Sequence, residues 1–338
     1  MSDILLRAEA LTKSFPVAGS RAVRVRALTD VDLAVVRGET LGIVGESGCG
    51  KSTLARCLVR LYPIDSGRVA FDGIDIATLS GAALRTFNRR VQMVFQDPYG
   101  SLNPRLTVRE TLSEPFHVHR LCARSGIPAR VDALLDLVHL PRAAAERRPH
   151  EFSGGQRQRI GIARALSVSP ECLIADELVS ALDVSVQAQM VNLLLELQER
   201  LRLTVLFIAH DLRLVRHLSH RVAVMYLGRV VELADTAALF DTPRHPYTRA
   251  LLSAAPDLDP AHRTVADAVR GELPSPLSPP SGCAFHPRCP ALVVRCRTEL
   301  PTLAPLRDGR LVACHVAHAE DAVTKLPAAL EHAELRRS

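Results

Sequence analysis

Gly45-Glu46-Ser47-Gly48-Cys49-Gly50-Lys51-Ser52-Thr53 fits the pattern G-x-x-x-x-G-K-[ST] of a phosphate-binding loop. The apolar run Thr40-Leu41-Gly42-Ile43-Val44 before it reads as a buried strand, and residues 54–61 after it have helical character. Strand, loop and helix in that order are the context the motif needs. The glycines let backbone N–H groups curl around an anion, and a helix N-terminus adds partial positive charge. Lys51 is placed to reach the β- and γ-phosphates, and the Ser52 hydroxyl to ligate Mg²⁺. The stretch predicts a site for a nucleoside triphosphate.

Moving outward, residues 5–37 alternate apolar and polar positions in short pieces, which predicts an antiparallel sheet ahead of the loop strand. Val91-Gln92-Met93-Val94-Phe95 is a further short strand, ending at Gln96. Residues 97–104 are dense in turn formers, and from Val108 to about Leu140 the pattern is helical. Ser153-Gly154-Gly155-Gln156 opens a basic helix, and Cys172-Leu173-Ile174-Ala175 is a buried strand running into Asp176-Glu177. A long helix pattern from Val184 to Leu201 precedes a strand that ends near His210. Helix and strand signals alternating in this way predict an α/β fold with a mostly parallel sheet.

The chain has 338 residues, 47% hydrophobic and 23% charged, with a net charge of +6. This composition is globular and excludes a disordered or collagen-like protein. The mild basic excess is weak evidence for nucleic acid, since an anionic membrane surface or a nucleotide suits it equally. The N-terminus, residues 1–9, has no apolar core of signal-peptide length and no uninterrupted apolar run is long enough to span a bilayer, so the chain is expected in the cytosol. Proline becomes frequent beyond about residue 256, which predicts a small loop-rich extension to the core.

An acidic pair at the end of an apolar strand is where Mg²⁺ needs a hard oxygen ligand, here Asp176. Glu177 is then placed to orient or deprotonate an attacking water. At Ser153-Gly154-Gly155-Gln156 the chain resembles the ATP-binding cassette (ABC) ATPases, and the rest of that family's set follows in order. The resemblance implies that Gln96 senses Mg²⁺, that the loop ending at Asp183 crosses a dimer interface, and that His210 contacts the γ-phosphate. It also implies that Phe15, 30 residues before Gly45, stacks on adenine, although spacing alone equally allows a core aromatic. In the family, the signature residues Ser153, Gly154, Gly155 and Gln156 close on ATP held by the opposite subunit. Leu178 departs from the proline usual after the catalytic glutamate, and Gly100 from the usual alanine; the first bears on backbone rigidity beside the base.

His245-Pro246-Tyr247-Thr248-Arg249-Ala250-Leu251-Leu252 and Gly271-Glu272-Leu273-Pro274-Ser275-Pro276 resemble the C-terminal extension of oligopeptide/dipeptide importers, with the F-type ATPase subunit the better match. The expected domains are residues 1–242 for the ATPase, with a helical subdomain about 97–160. The extension would then span 243–318, with a charged tail at 319–338. The resemblance implies a D-type partner ATPase, two permease subunits and an extracytoplasmic substrate-binding protein, at the cytoplasmic face of the inner membrane. It implies no nucleic-acid partner. The competing reading is a soluble ABC ATPase acting on DNA or ribosomes, and a nickel or glutathione cargo is a variant of the first. Cys283, Cys289, Cys296 and Cys314 crowd the extension as C-x5-C-x6-C-x17-C. That spacing leaves an iron–sulfur cluster, zinc and free thiols open, and the resemblance implies a [4Fe–4S] centre.

Overall fold

The computed structural model describes residues 3–17, 19–179, 182–254 and 271–323. Ser180 and Ala181 of the interface loop, and the tail from residue 324, lie outside the described residues. The expected antiparallel region is present. Strands β1 (Ile4–Val17) and β2 (Ser20–Val36) pair as a long hairpin, and β4 (Ser66–Phe71) and β5 (Ile74–Asp75) extend it in the order β2-β1-β4-β5. Its alternation comes in short pieces for a physical reason. Ala10 has φ +45°, and the β1 register shifts between Ala8 and Leu11, so the inward-facing set slips by a residue there.

Among the described residues the second sheet has eight strands. β3 (Thr40–Val44) lies at its centre, between β8 (Thr204–Ile208) and β9 (Arg221–Tyr226), and runs parallel to both. β7 (Cys172–Asp176) and β6 (Val91–Val94) continue the parallel set beyond β8. On the other side β10 (Arg229–Asp235) is antiparallel to β9. Parallel strands are covered on both faces, so both side-chain sets are apolar. Along β8, Val205 and Phe207 join one core, while Leu206 and Ile208 join the other.

Helix α1 (Lys51–Leu58) follows the loop and packs in the core shared with the antiparallel sheet, and α2 (Gly81–Arg90) leads into β6. The opposite face is covered by the helices α4 (Val108–His119), α5 (Ile127–Leu137), α6 (Gly154–Leu166) and α7 (Val184–Leu201), with the short α3 (Pro98–Ser101) against α6. The helical run expected from Val108 to about Leu140 is thus two helices. Thr107 and Glu110 form a capping box that starts α4, and Arg120 in the left-handed region at φ +51° ends it. α8 (Leu212–Leu218) and α9 (Thr236–Asp241) flank β9 and β10.

The extension is joined to this core rather than set apart from it. It contributes α10 (Pro246–Ser253), the short strands β11 (Ala304–Pro305) and β12 (Leu311–Val312), and α11 (His315–Val323). β12 pairs antiparallel with β10 through Glu232 and Val312, so the main sheet runs on into the extension. Phe285 is buried with Tyr226 and Tyr247, its ring centroid 5.3 and 5.4 Å from theirs. Burying a ring of that size stabilises by about 2–3 kcal/mol. Glu232 is buried and accepts the backbone N–H groups of Arg244 (2.9 Å) and His245 (2.8 Å). Burial raises the Glu232 carboxyl above its ordinary value, against those hydrogen bonds, which lower it.

His245 caps α10, its Nδ1 accepting the Tyr247 N–H at 3.0 Å, and burial pushes its pKa from 6.5 down to about 3. The unfolded chain therefore takes up a proton on His245 that the folded chain refuses, and this residue's contribution to stability is lost as pH falls below 6.5 towards about 3. In that window the cost is roughly 1.4 kcal/mol per pH unit. His245→Asn keeps a capping acceptor but does not titrate. Urea midpoints of the variant should therefore fall less steeply with acid than those of the wild type; parallel pH profiles would show that His245 is not held neutral.

Candidate nucleotide site

The phosphate loop, Gln96, Asp176, Glu177 and His210 follow or end strands at one edge of the main sheet. β3, β8, β7 and β6 are adjacent and parallel, so their C-terminal ends lie side by side. The phosphate loop leaves β3, His210 follows β8, Asp176-Glu177 ends β7 and Gln96 follows β6. In α/β sheets ligands bind at such an edge.

Two glycines of the loop are dictated by space. A Cβ on Gly45 would lie 2.2 Å from the Met225 carbonyl oxygen, and one on Gly50 would lie 2.4 Å from that of Ala27. Both also have positive φ, +152° and +106°. Between them come Ser47, Gly48 at φ +80° and the buried Cys49. Burial, the dominant influence, raises the Cys49 thiol despite the nearby Lys51 ammonium. Lys51 itself is only 4% exposed, and its ammonium donates to the carbonyl oxygens of Gly45 (2.8 Å) and Glu46 (3.0 Å). Ser52 and Thr53 follow in the first turn of α1.

Across the loop, Ser52 Oγ donates to Asp176 Oδ1 at 2.9 Å. Asp176 is 1% exposed, and burial raises its carboxyl although the Ser52 bond and Lys51 work the other way. A hydroxyl and a buried carboxylate side by side are a hard-oxygen pair, the donor chemistry that suits Mg²⁺. Glu177 has φ +48°, a conformation that L side chains rarely adopt, and its N–H donates to Ile208 O at 3.0 Å. Its carboxylate accepts from Gln96 Nε2 at 2.7 Å. Leu178, in place of the usual proline, is buried in the helical core, so packing rather than a ring anchors the backbone after Glu177. His210 is exposed and precedes Asp211, which caps α8.

The signature residues occupy a different place. Ser153 caps α6: its Oγ accepts the Gln156 N–H (3.4 Å) and its own N–H donates to Gln156 Oε1 (3.0 Å). Gly155 lies so close to α7 that a Cβ would meet Val186 at 2.4 Å, and Gly154 faces Leu182. Asp183 caps α7 by accepting the Val186 N–H at 2.9 Å. The signature and Asp183 thus form a second group at the starts of two neighbouring helices, α6 and α7. Phe15 is half-buried on β1, edge-on to Tyr62 at 5.3 Å, with the Lys13 ammonium 5.2 Å from its ring centre.

The four cysteines of the extension share one neighbourhood, and Cys283 N–H donates to Cys296 O at 2.9 Å. Burial pushes the Cys283 thiol up to about 11, and Cys296, Cys314 and Cys289 add to the rise. Among the described residues, however, no three His, Cys, Asp or Glu side chains converge closely enough to hold a metal ion. The expected [4Fe–4S] site is therefore not preformed. Cys283, Cys289, Cys296 and Cys314 form no disulfide, and burial raises the thiols of Cys283, Cys289 and Cys314.

Two loop contacts were not assigned from the sequence. Tyr247 Oη accepts the Glu46 N–H at 3.0 Å, and Arg288 donates to the Glu46 carboxylate at 3.1 Å. They lie 201 and 242 positions from Glu46, beyond the reach of any short spacing pattern.

Comparison with known proteins bears on the family and the fold. The ABC transporter family matches residues 28–180, and the oligopeptide/dipeptide transporter C-terminal region matches residues 231–296. The chain is 55% identical to a Sinorhizobium fredii protein named as a probable peptide ABC transporter ATP-binding protein, over 98% of this chain and 95% of the other. It is 49% identical to the oligopeptide transport ATP-binding protein AppF of Bacillus subtilis, over 93% and 98%. Among solved structures it is similar to the ATP-binding cassette MJ0796, a dimer in a post-hydrolysis state bound to ADP and Pi. There the TM-score is 0.62 and the identity 29%, over 69% of this chain and 99% of that one. The loop, the acidic strand end, the signature and the matched C-terminal region together place this chain in the ABC transporter family, as an ATPase of the peptide-transporter ATP-binding type.

Proposed function

We propose that this chain binds and hydrolyses ATP at the cytoplasmic face of a cell membrane to power import of di- or oligopeptides. The observation that supports the reading is that one chain carries two distinct groups: the loop with Asp176-Glu177 at the sheet edge, and the signature with Asp183 at the starts of α6 and α7. Each is an incomplete cradle, and a second ATP-binding subunit would bring its signature to this chain's loop. A heterodimer of F-type (this chain) and D-type subunits, docked on two permeases served by an extracytoplasmic binding protein, is the assembly proposed. No helix among the described residues is long and apolar enough to cross a membrane, so permeases would supply the path.

In this mechanism the amides of residues 45–53 cradle the phosphates and Lys51 leaves its carbonyl partners to pair with them. Ser52 and Asp176 would hold Mg²⁺, which neutralises phosphate charge. Gln96 keeps Glu177 oriented, Glu177 accepts the proton of the attacking water, and His210 contacts the γ-phosphate. Ser153, Gly154 and Gly155 act on the partner's nucleotide, so closure depends on contacts that only the triphosphate makes in both halves. Phe15 is proposed to face adenine. A [4Fe–4S] cluster on Cys283, Cys289, Cys296 and Cys314 is proposed as a structural staple for the extension, which would require the four thiols to deprotonate and draw together.

Glu177→Gln should bind MgATP, lose turnover by about 100-fold or more, and accumulate as a closed dimer by size-exclusion chromatography. Turnover at the wild-type rate would remove Glu177 from the role of base. Lys51→Ala should abolish nucleotide binding by isothermal titration, and unchanged affinity would contradict the loop assignment. Anaerobically purified protein should contain iron and acid-labile sulfide in equal amounts. Zinc, or neither element, would leave the four cysteines as something other than cluster ligands.

A further inference from the structure

The extension reaches back to the phosphate loop at one residue. Glu46 is the junction of four contacts. Its N–H donates to Tyr247 Oη (3.0 Å), and its carbonyl oxygen accepts from Lys51 Nζ (3.0 Å) and from the Cys49 N–H (3.2 Å). Its carboxylate accepts from Arg288 (3.1 Å). Arg288 also donates to Tyr226 Oη (3.3 Å) and lies over that ring, 5.8 Å from its centre. The Arg288 side chain is 7% exposed and that of Glu46 24%, so the pair is shielded from solvent. Tyr247 is fully buried, its ring 4.6 Å from that of Tyr226 and 5.4 Å from that of Phe285. The floor under Glu46 is therefore a packed aromatic group, in which Tyr226 comes from β9 and Tyr247, Phe285 and Arg288 come from the extension.

Both ends of the Glu46 peptide matter to the loop. The Tyr247 bond fixes the direction of the Glu46 N–H, and with it the Gly45 carbonyl oxygen of the same peptide plane, which accepts from Lys51 at 2.8 Å. The carboxylate is a negative charge within a loop built to accept a polyanion, and Arg288 offsets it. We infer that Tyr247 and Arg288 are positioning residues for the phosphate loop, acting through Glu46, so that nucleotide affinity is set in part by the C-terminal extension. This rests on residues 45–53 being the nucleotide site.

The test uses the full chain and MgATP. Arg288→Ala should raise the dissociation constant about five- to tenfold, and KM with it, while kcat stays within about twofold. The cause is the uncompensated Glu46 charge, so Glu46→Gln/Arg288→Ala should return to within about twofold of Glu46→Gln alone. A purely structural role for Arg288 would not be rescued by neutralising Glu46. Tyr247→Phe keeps the ring and removes only the hydroxyl; it should weaken MgATP about threefold without lowering the unfolding temperature by more than a few degrees. Unchanged affinity in Arg288→Ala, or a loss that persists undiminished in the double variant, overturns the inference. If Arg288→Ala does not fold, Tyr247→Phe decides, and wild-type affinity there overturns it. Lys51→Ala separates the two readings: normal MgATP binding in that variant faults the site itself, whereas loss of binding there with no effect at Arg288 faults only the coupling.

Discussion

The burial of β3 is the constraint on which the rest depends. Its five residues are all inaccessible, with β8 and β9 hydrogen-bonded on either side and an apolar core on each face. A strand held in that way cannot slide or tilt, so the direction in which its C-terminal end releases the chain is fixed. The loop leaves it under crowding from Met225 O and Ala27 O that admits only glycine at positions 45 and 50. The same sheet brings β7 and β6 into register, and with them the carboxylates and the glutamine that face the loop.

The edge of the sheet stores polar tension that an apolar core cannot relieve. Asp176 is buried with a serine hydroxyl as its hydrogen-bond partner, and its raised pKa shows that desolvation outweighs the favourable contacts. Glu177 sits in a left-handed conformation that the β7–β8 pairing and the buried Leu178 enforce on either side. Strained backbone and desolvated carboxylate occur in adjacent residues, where the proposed chemistry needs a cation ligand and a base.

The extension shows how a segment with little core of its own is ordered by borrowing one. Phe285 completes an aromatic group whose other members come from β9 and α10, β12 prolongs the main sheet, and Glu232 receives the N–H groups of the turn leading into α10. These contacts put the thiol-bearing segment next to the phosphate loop, with Arg288 between Phe285 and Cys289 in the chain.

The sequence by itself determined the elements whose signals are local. The strand Thr40–Val44 and the helix Val184–Leu201 have the bounds that their apolar patterns predict, because period and length are written within each run. The loop, the acidic pair and the signature were legible for the same reason: each is a short string whose chemistry requires those residue types at that spacing. The split of the helical run at Arg120 was not legible, since the left-handed residue that ends α4 breaks no apolar pattern. Neither was the attachment of the extension. Only the tertiary structure brings Ser52 to Asp176 across 124 positions, and Arg288 to Glu46 across 242. Such contacts follow from the order of strands in the sheet and from which core a ring enters. Neither is recorded in any spacing along the chain, because both result from the whole chain satisfying its buried surfaces at once.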